Sequence, residues 1–289
     1  MFIVLLLSLH NSKAQQNDTL DYYPTRLKYS IAATSFVYAT TLYSLNKLWY
    51  ADFEKSSFHF FNDNKQWKQQ DKVGHIYSSY LGGYIGYSAF KYSGLSNKKS
   101  ALYGGGLGFL FLSTVEVFDG YSSEWGFSWG DIASNGIGTG LFIGQELLFE
   151  EQILKPKYSF TSSEYRALRP NVLGANTQEA YFKDYNAQTY WLSLNLNSLN
   201  HNIKPKWLSL AFGYGANGMV NASGTYINKG LVIEPYRQYY LSFDVDFTKI
   251  ETEKKWVKSL LKAANFIKVP APSIEFNQNR KTNFYWLFF

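Results

Sequence analysis

Asp71, Lys72 and His75 open one largely apolar stretch of this sequence, Glu116 and Asp119 close another, and Asp131 with Asn135 opens a third. Side chains four apart on a helix look the same way, so Asp71 would share a face with His75, and Asp131 with Asn135. An imidazole among carboxylates can run general acid–base catalysis. The same donors suit a hard divalent ion such as Mg²⁺, Mn²⁺ or Ca²⁺, or a mixed zinc site. They also suit a network of ion pairs that ties helix ends together, since buried charges must be paired. Spacing leaves all three roles open. The candidates for catalysis are His75, Asp71, Glu116 and Asp131, with Lys72, Asp119 and Asn135 in support.

For these residues to meet, the stretches carrying them must be helices whose ends gather at one end of a bundle. Four segments read so: residues 25–50, 71–92, 98–119 and 128–151. The second starts, the third ends and the fourth starts where the polar residues lie, which is the alternation antiparallel packing requires. Glu116 and Asp119 would sit against the negative end of their helix dipole, so a cation is expected beside them, from Lys72, His75 or a metal. Ser128 followed by Asp131 reads as a helix N-cap. Ser78, Gly82, Gly86 and Ala89 continue the stripe of Asp71 and His75 and would let another helix approach closely. The run "GGGLG" from Gly104 to Gly108 follows no strand and precedes no Gly-Lys-Ser/Thr, so it reads as a packing surface and not as a phosphate loop. Gly136, Gly140 and Gly144 form a stripe opposite Asp131 and Asn135, and the fourth helix is expected to be packed on both sides.

From about residue 155 the period changes. Leu192, Leu194 and Leu196 alternate with Ser193, Asn195 and Asn197, and Leu241, Phe243, Val245 and Phe247 alternate with polar residues, which marks half-buried strands. "WLSLAFGYG" from Trp207 and the terminal "FYWLFF" are two more. Residues 253–268 read as a basic amphipathic helix, with Trp256, Val257, Leu260, Leu261, Ala264 and Ile267 on one face, expected to cover the sheet. Four strands are too few to close a membrane barrel, which takes about eight. The expectation is an α+β protein: residues 15–154 a Gly-rich bundle of about four helices, residues 155–289 a small antiparallel β region with its helix.

Composition narrows the setting. Of 289 residues, 24 are Tyr, 23 Phe and 8 Trp, an aromatic content of 19% that suits surfaces apolar at one end and wet at the other. The net charge of +6 comes from scattered lysines with no RNP-like or Arg-rich stretch, so nucleic acid is not an expected partner. Residues 1–14 resemble a signal peptide, with an apolar run from Phe2 to Leu9 and cleavage expected after Ala14. With no Cys there is neither a disulfide framework nor a thiol for a lipid anchor in these residues.

"DKVGHIYSSYLGGY" followed by "VEVFDGYSSEWGFSWGDIASNGIGTG" resembles the YfiM-like family of periplasmic lipoproteins, a domain of unknown function, in its long envelope form. The shared pattern is Asp71-Lys72-x-x-His75, Glu116-x-x-Asp119 and Ser128-Trp129-x-Asp131 before a Gly-containing helix, which adds Ser128 and Trp129 to the polar cluster. A more distant similarity is to VanZ-like membrane proteins. The resemblance implies export to the cell envelope, with the outer membrane or its periplasmic face preferred over an inner-membrane bundle. It supplies no reaction. Two functions stay open: a non-catalytic envelope protein that binds a membrane lipid or a protein partner, and a metal-assisted hydrolase acting on a lipid or cell-wall substrate.

Overall fold

A computed structural model describes residues 23–50, 53–279 and 281–289. The expected signal segment, residues 1–14, lies outside the described residues. Tertiary contacts divide the described residues into two units, one holding those up to Asp63, His75–Gln152 and Thr252–Ala263, the other Asn64–Gly74, Ile153–Glu251 and Ala264–Phe289. The protein is α+β, and its sheet is antiparallel.

The helical unit carries α1 (Pro24–Leu45), most of α2 (Gln70–Tyr92), α3 (Gly105–Gly120) and α4 (Trp129–Phe149). Pro24 sits in the first turn of α1, where its fixed φ suits a helix start and its missing N–H costs nothing. A π-helical stretch, Asn46–Tyr50, prolongs α1 to the expected end, and another, Ser100–Gly104, runs into α3. With that lead-in, Asn97–Gly120 is the one described helical run long and apolar enough to cross a membrane.

Glycines set how closely these helices approach. An added Cβ on Gly82 would lie 2.9 Å from Gly108 Cα, and one on Gly86 would lie 2.1 Å from Gly104 O. One on Gly138 would lie 2.1 Å from Ile76 O. Backbone therefore rests on backbone along α2–α3, as "GGGLG" led us to expect, and at one point of α2–α4. The Gly136, Gly140, Gly144 stripe departs from expectation. Gly140 and Gly144 have nothing within 4 Å of an added Cβ, and Gly136 has only Phe109, so among the described residues this side of α4 is unpacked. Polar groups bridge the remaining contacts: Ser30 Oγ donates to Ala89 O at 2.8 Å, and Tyr80 Oη to Gln152 Oε1 at 2.9 Å. Tyr29, Phe36, Tyr103, Leu110, Ile137 and Leu148 stand exposed outside. Inside, Phe142 is fully buried among Tyr80, Tyr84 and Tyr87.

The second unit is built on one antiparallel sheet in the order β1-β2-β3-β6-β7-β8: β1 (Leu154–Phe160), β2 (Gln188–Asn195), β3 (Leu208–Asn217), β6 (Tyr236–Val245), β7 (Ala271–Asn277) and β8 (Thr282–Phe288). A hairpin, β4 (Tyr226–Asn228) with β5 (Leu231–Ile233), branches between β3 and β6. The sheet has two strands more than the four expected. Conversely, β2 stops at Asn195, whose side chain caps a helical turn at Leu196–Leu199, so Leu196 leaves the alternation. The helix expected over 253–268 is α5 (Lys255–Ala264), and its contacts place most of it with the helical unit. Trp256 is 67% exposed and Leu260 also stands exposed, so part of its apolar face covers nothing among the described residues.

Candidate polar site

The site forms where α3 ends, α4 begins and the second turn of α2 passes. Ser128 caps α4: its Oγ accepts from Asp131 N at 3.2 Å and donates to Asp63 Oδ1 at 2.7 Å. Its own N–H donates to Glu116 Oε2 at 3.2 Å. The Glu116 carboxylate, ill-placed at the negative end of α3, is thus received by the positive end of α4. Asp131, in the first turn of α4, profits from the same dipole.

His75 completes the arrangement. Its Nε2 lies 3.5 Å from Glu116 Oε1 and 3.8 Å from Asp131 Oδ1, while Nδ1 lies 2.9 Å from Asn135 Oδ1. Both ring nitrogens thus face oxygens, Nδ1 the Asn135 amide at hydrogen-bond distance and Nε2 the two carboxylates at ion-pair distance. The group that lies opposite Glu116 is the His75 ring. The carboxylates are sealed: the side chains of Glu116 and Asp131 are 1% and 4% exposed, against 14% for His75. Asn135 is fully buried, and its Nδ2 has no hydrogen-bond acceptor among the described residues.

Of the residues proposed from sequence, His75, Glu116, Ser128, Asp131 and Asn135 come together in the helical unit. Asp71 lies one turn before His75 on α2, and Tyr185 Oη donates to its Oδ1 at 2.8 Å. Lys72 pairs with Asp71 at 3.2 Å. Asp119 accepts from Tyr50 Oη at 2.6 Å. Trp129 is exposed and stacks on Phe60. His59 is a loop residue, as its context suggested: its Nε2 lies 2.6 Å from Trp125 O. Asp63 escaped the sequence reading, because it sits in an irregular stretch where no period assigns it a direction. A second polar knot was missed as well. Gln152 Nε2 donates to Glu146 Oε1 and to Phe142 O, across the end of α4 where no period relates the two side chains.

This segment is also what the chain shares with known proteins. Residues 59–144 match the family model described as predicted periplasmic lipoprotein (DUF2279). The DUF2279 segment runs from His59 through α4 to Gly144, and so contains Asp63, His75, Glu116, Ser128, Asp131 and Asn135. It agrees with the YfiM-like resemblance and places the chain in the cell envelope in association with a membrane. No curated protein and no solved structure matches the chain.

Proposed function

We propose that this is a non-catalytic envelope protein that binds membrane lipid, in which the His75, Glu116, Asp131 and Asn135 cluster is an internal lock on the helical unit. The observation that carries this reading is the sealing of the carboxylates. Glu116 Oε2 accepts from the backbone at the start of α4, and both carboxylates lie within 4 Å of the His75 ring. A general base must reach a substrate proton, and these oxygens face inward. A small aqueous cation can enter where a substrate cannot, and one feature favours a second reading, a divalent metal site serving hydrolysis. Nδ1 of His75 is held by Asn135 Oδ1, the outer contact that orients a metal-bound imidazole, and Nε2 looks at two carboxylate oxygens.

One set of measurements separates the two. For the lock, purified protein contains no stoichiometric divalent metal, and His75→Ala and Glu116→Gln both melt well below wild type, since breaking a buried pair costs about 3 to 5 kcal/mol. One equivalent of metal that is lost in His75→Ala while melting is unchanged would install the metal reading in its place.

A further inference from the structure

The sheet of the second unit is turned inside out relative to a water-soluble one. Antiparallel sheets in water bury their apolar face and wet their polar one. Here the buried face carries Lys157, Ser193, Ser242, Asp244, Ser273 and Glu275 beside a small core of Trp191, Ala211 and Tyr240. Its charges find partners internally: Lys157 Nζ lies 2.7 Å from Asp244 Oδ2, to which Ser193 Oγ also donates at 2.7 Å, and Glu275 Oε2 accepts from Tyr285 Oη at 2.8 Å. Lys155 pairs with Asp246 nearby. The opposite face carries Leu192, Phe212, Phe243, Phe276, Phe284 and Trp286, between 37% and 78% exposed.

The sheet is also curled, with the polar face on the concave side. Strands β1 and β6 are three places apart in the order, about 14 Å if the sheet were flat, yet Lys157 on β1 reaches Asp244 on β6. At one end the curl closes: Tyr158 N donates to Phe266 O at 3.0 Å and Lys268 N to Tyr158 O at 2.9 Å, so the chain entering β7 covers the outer edge of β1. The apolar face is therefore convex. Charged and hydroxyl groups gathered with a few aromatics inside, and large apolar side chains outside with a two-residue period, is the pattern of a sheet whose outer solvent is lipid.

We propose that the convex face of this sheet lies against the acyl chains of the envelope membrane. Acyl chains conform to a convex wall from all sides, whereas a second copy of the same wall would touch it along a narrow line. Nor does the fold need a protein cover there to satisfy its charges, because these are paired or hydrogen-bonded on the concave side. The inference rests on the membrane association already assigned and adds which surface meets the lipid.

The chain has no Cys, so single substitutions report single positions. Phe212→Cys, Phe243→Cys and Phe276→Cys, with Asn202→Cys in an exposed loop as control, would each carry an environment-sensitive fluorophore. The full-length protein is reconstituted in phosphatidylethanolamine–phosphatidylglycerol vesicles with and without brominated acyl chains, and flotation of the same samples reads membrane association independently. Bromine should quench the three sheet positions by about twofold or more and leave Asn202→Cys unchanged. Floating protein with unquenched, water-like fluorescence at the sheet overturns the proposal and leaves membrane association standing. Unquenched, blue-shifted fluorescence that persists without vesicles and fades on dilution assigns the face to a second copy and overturns it too. Protein that does not float removes membrane association, and this proposal with it.

Discussion

Replacing Gly108 by Ala tests the close approach of α2 and α3, on which the placement of His75 beside Glu116 depends. A Cβ there would lie 2.1 Å from Ser79 O and 2.7 Å from Gly83 N, both backbone atoms that no rotamer change can move. An ordinary carbon–oxygen contact needs about 3.3 Å, so the helices must part by roughly 1 Å. The contact is a ladder, Gly82 on Gly108, Gly83 on Gly105 and Gly86 on Gly104, so parting at one rung loosens all of them. Overpacking costs about 1 to 3 kcal/mol, and a rigid backbone neighbour argues for the upper figure. Against this stands a helix-propensity gain of up to about 1 kcal/mol. A net loss of about 2 kcal/mol corresponds to a melting temperature lower by about 4 to 8 °C. Gly140→Ala makes the opposite prediction. Its Cβ meets nothing within 4 Å, so only the propensity gain remains and melting should rise by about 1 to 4 °C. Far-ultraviolet circular dichroism melts of both variants in one detergent decide the matter. Equal shifts would refute the idea that backbone contact at Gly108 distinguishes these glycines, and destabilisation by Gly140→Ala would mean that a partner covers the open stripe.

In the second unit, Asp244→Ala strands the buried ammonium of Lys157 and leaves Lys268 facing no carboxylate there, so unfolding assays should show a loss of about 3 to 5 kcal/mol. Lys157→Met should cost clearly less, because Asp244 keeps Ser193 Oγ, Val269 N and Lys268. Burial pushes the Asp184 carboxyl up despite two hydrogen bonds from Asn186 and the charge of Arg166. A carboxyl whose folded pKa is raised destabilises the fold once pH exceeds its unfolded value near 3.8, so Asp184→Asn should be more stable than wild type at pH 7 and lose that advantage as pH falls toward 4. On α5, Trp256→Ala with Leu260→Ala should weaken flotation with anionic vesicles if the exposed apolar face dips into lipid beside Lys255 and Lys258; unchanged flotation would remove α5 from the membrane surface.

How much of this was legible follows from what each pattern encodes. Helices with glycines at four-residue spacing announce a face and a close neighbour, and α2 and α3 meet along that face. Spacing does not say which glycines find a partner, and the stripe on α4 has none among the described residues. Alternation disclosed β2, β3, β6 and β8. It hid β1 and β7, whose sequences "LKPKYSF" and "APSIEFN" carry Pro156 and Pro272 and therefore read as breaks. The cluster was legible where a helix fixed direction, at His75, Glu116, Asp131 and Asn135, and illegible at Asp63, which no helix or strand orients.

Alternation also has two equivalent faces, and sequence does not say which one turns inward. In β6, Leu241 and Phe243 could have formed the core and Ser242 and Asp244 the wet surface. What decides against this is the rest of the sheet. Lys157 lies opposite Asp244, Ser273 donates to Ser242 Oγ at 2.9 Å, and Tyr285 Oη donates to Glu275 Oε2 at 2.8 Å, so the polar side of one strand answers the polar sides of others. The same holds in the helical unit, where Glu116 answers His75 and Glu146 answers Gln152. A buried charge is tolerable only when its partner is buried with it, and a single strand or helix read alone does not disclose the partner. Once the pairs are in place large apolar residues remain exposed on both units, and under the proposal above those on the convex face of the sheet meet lipid.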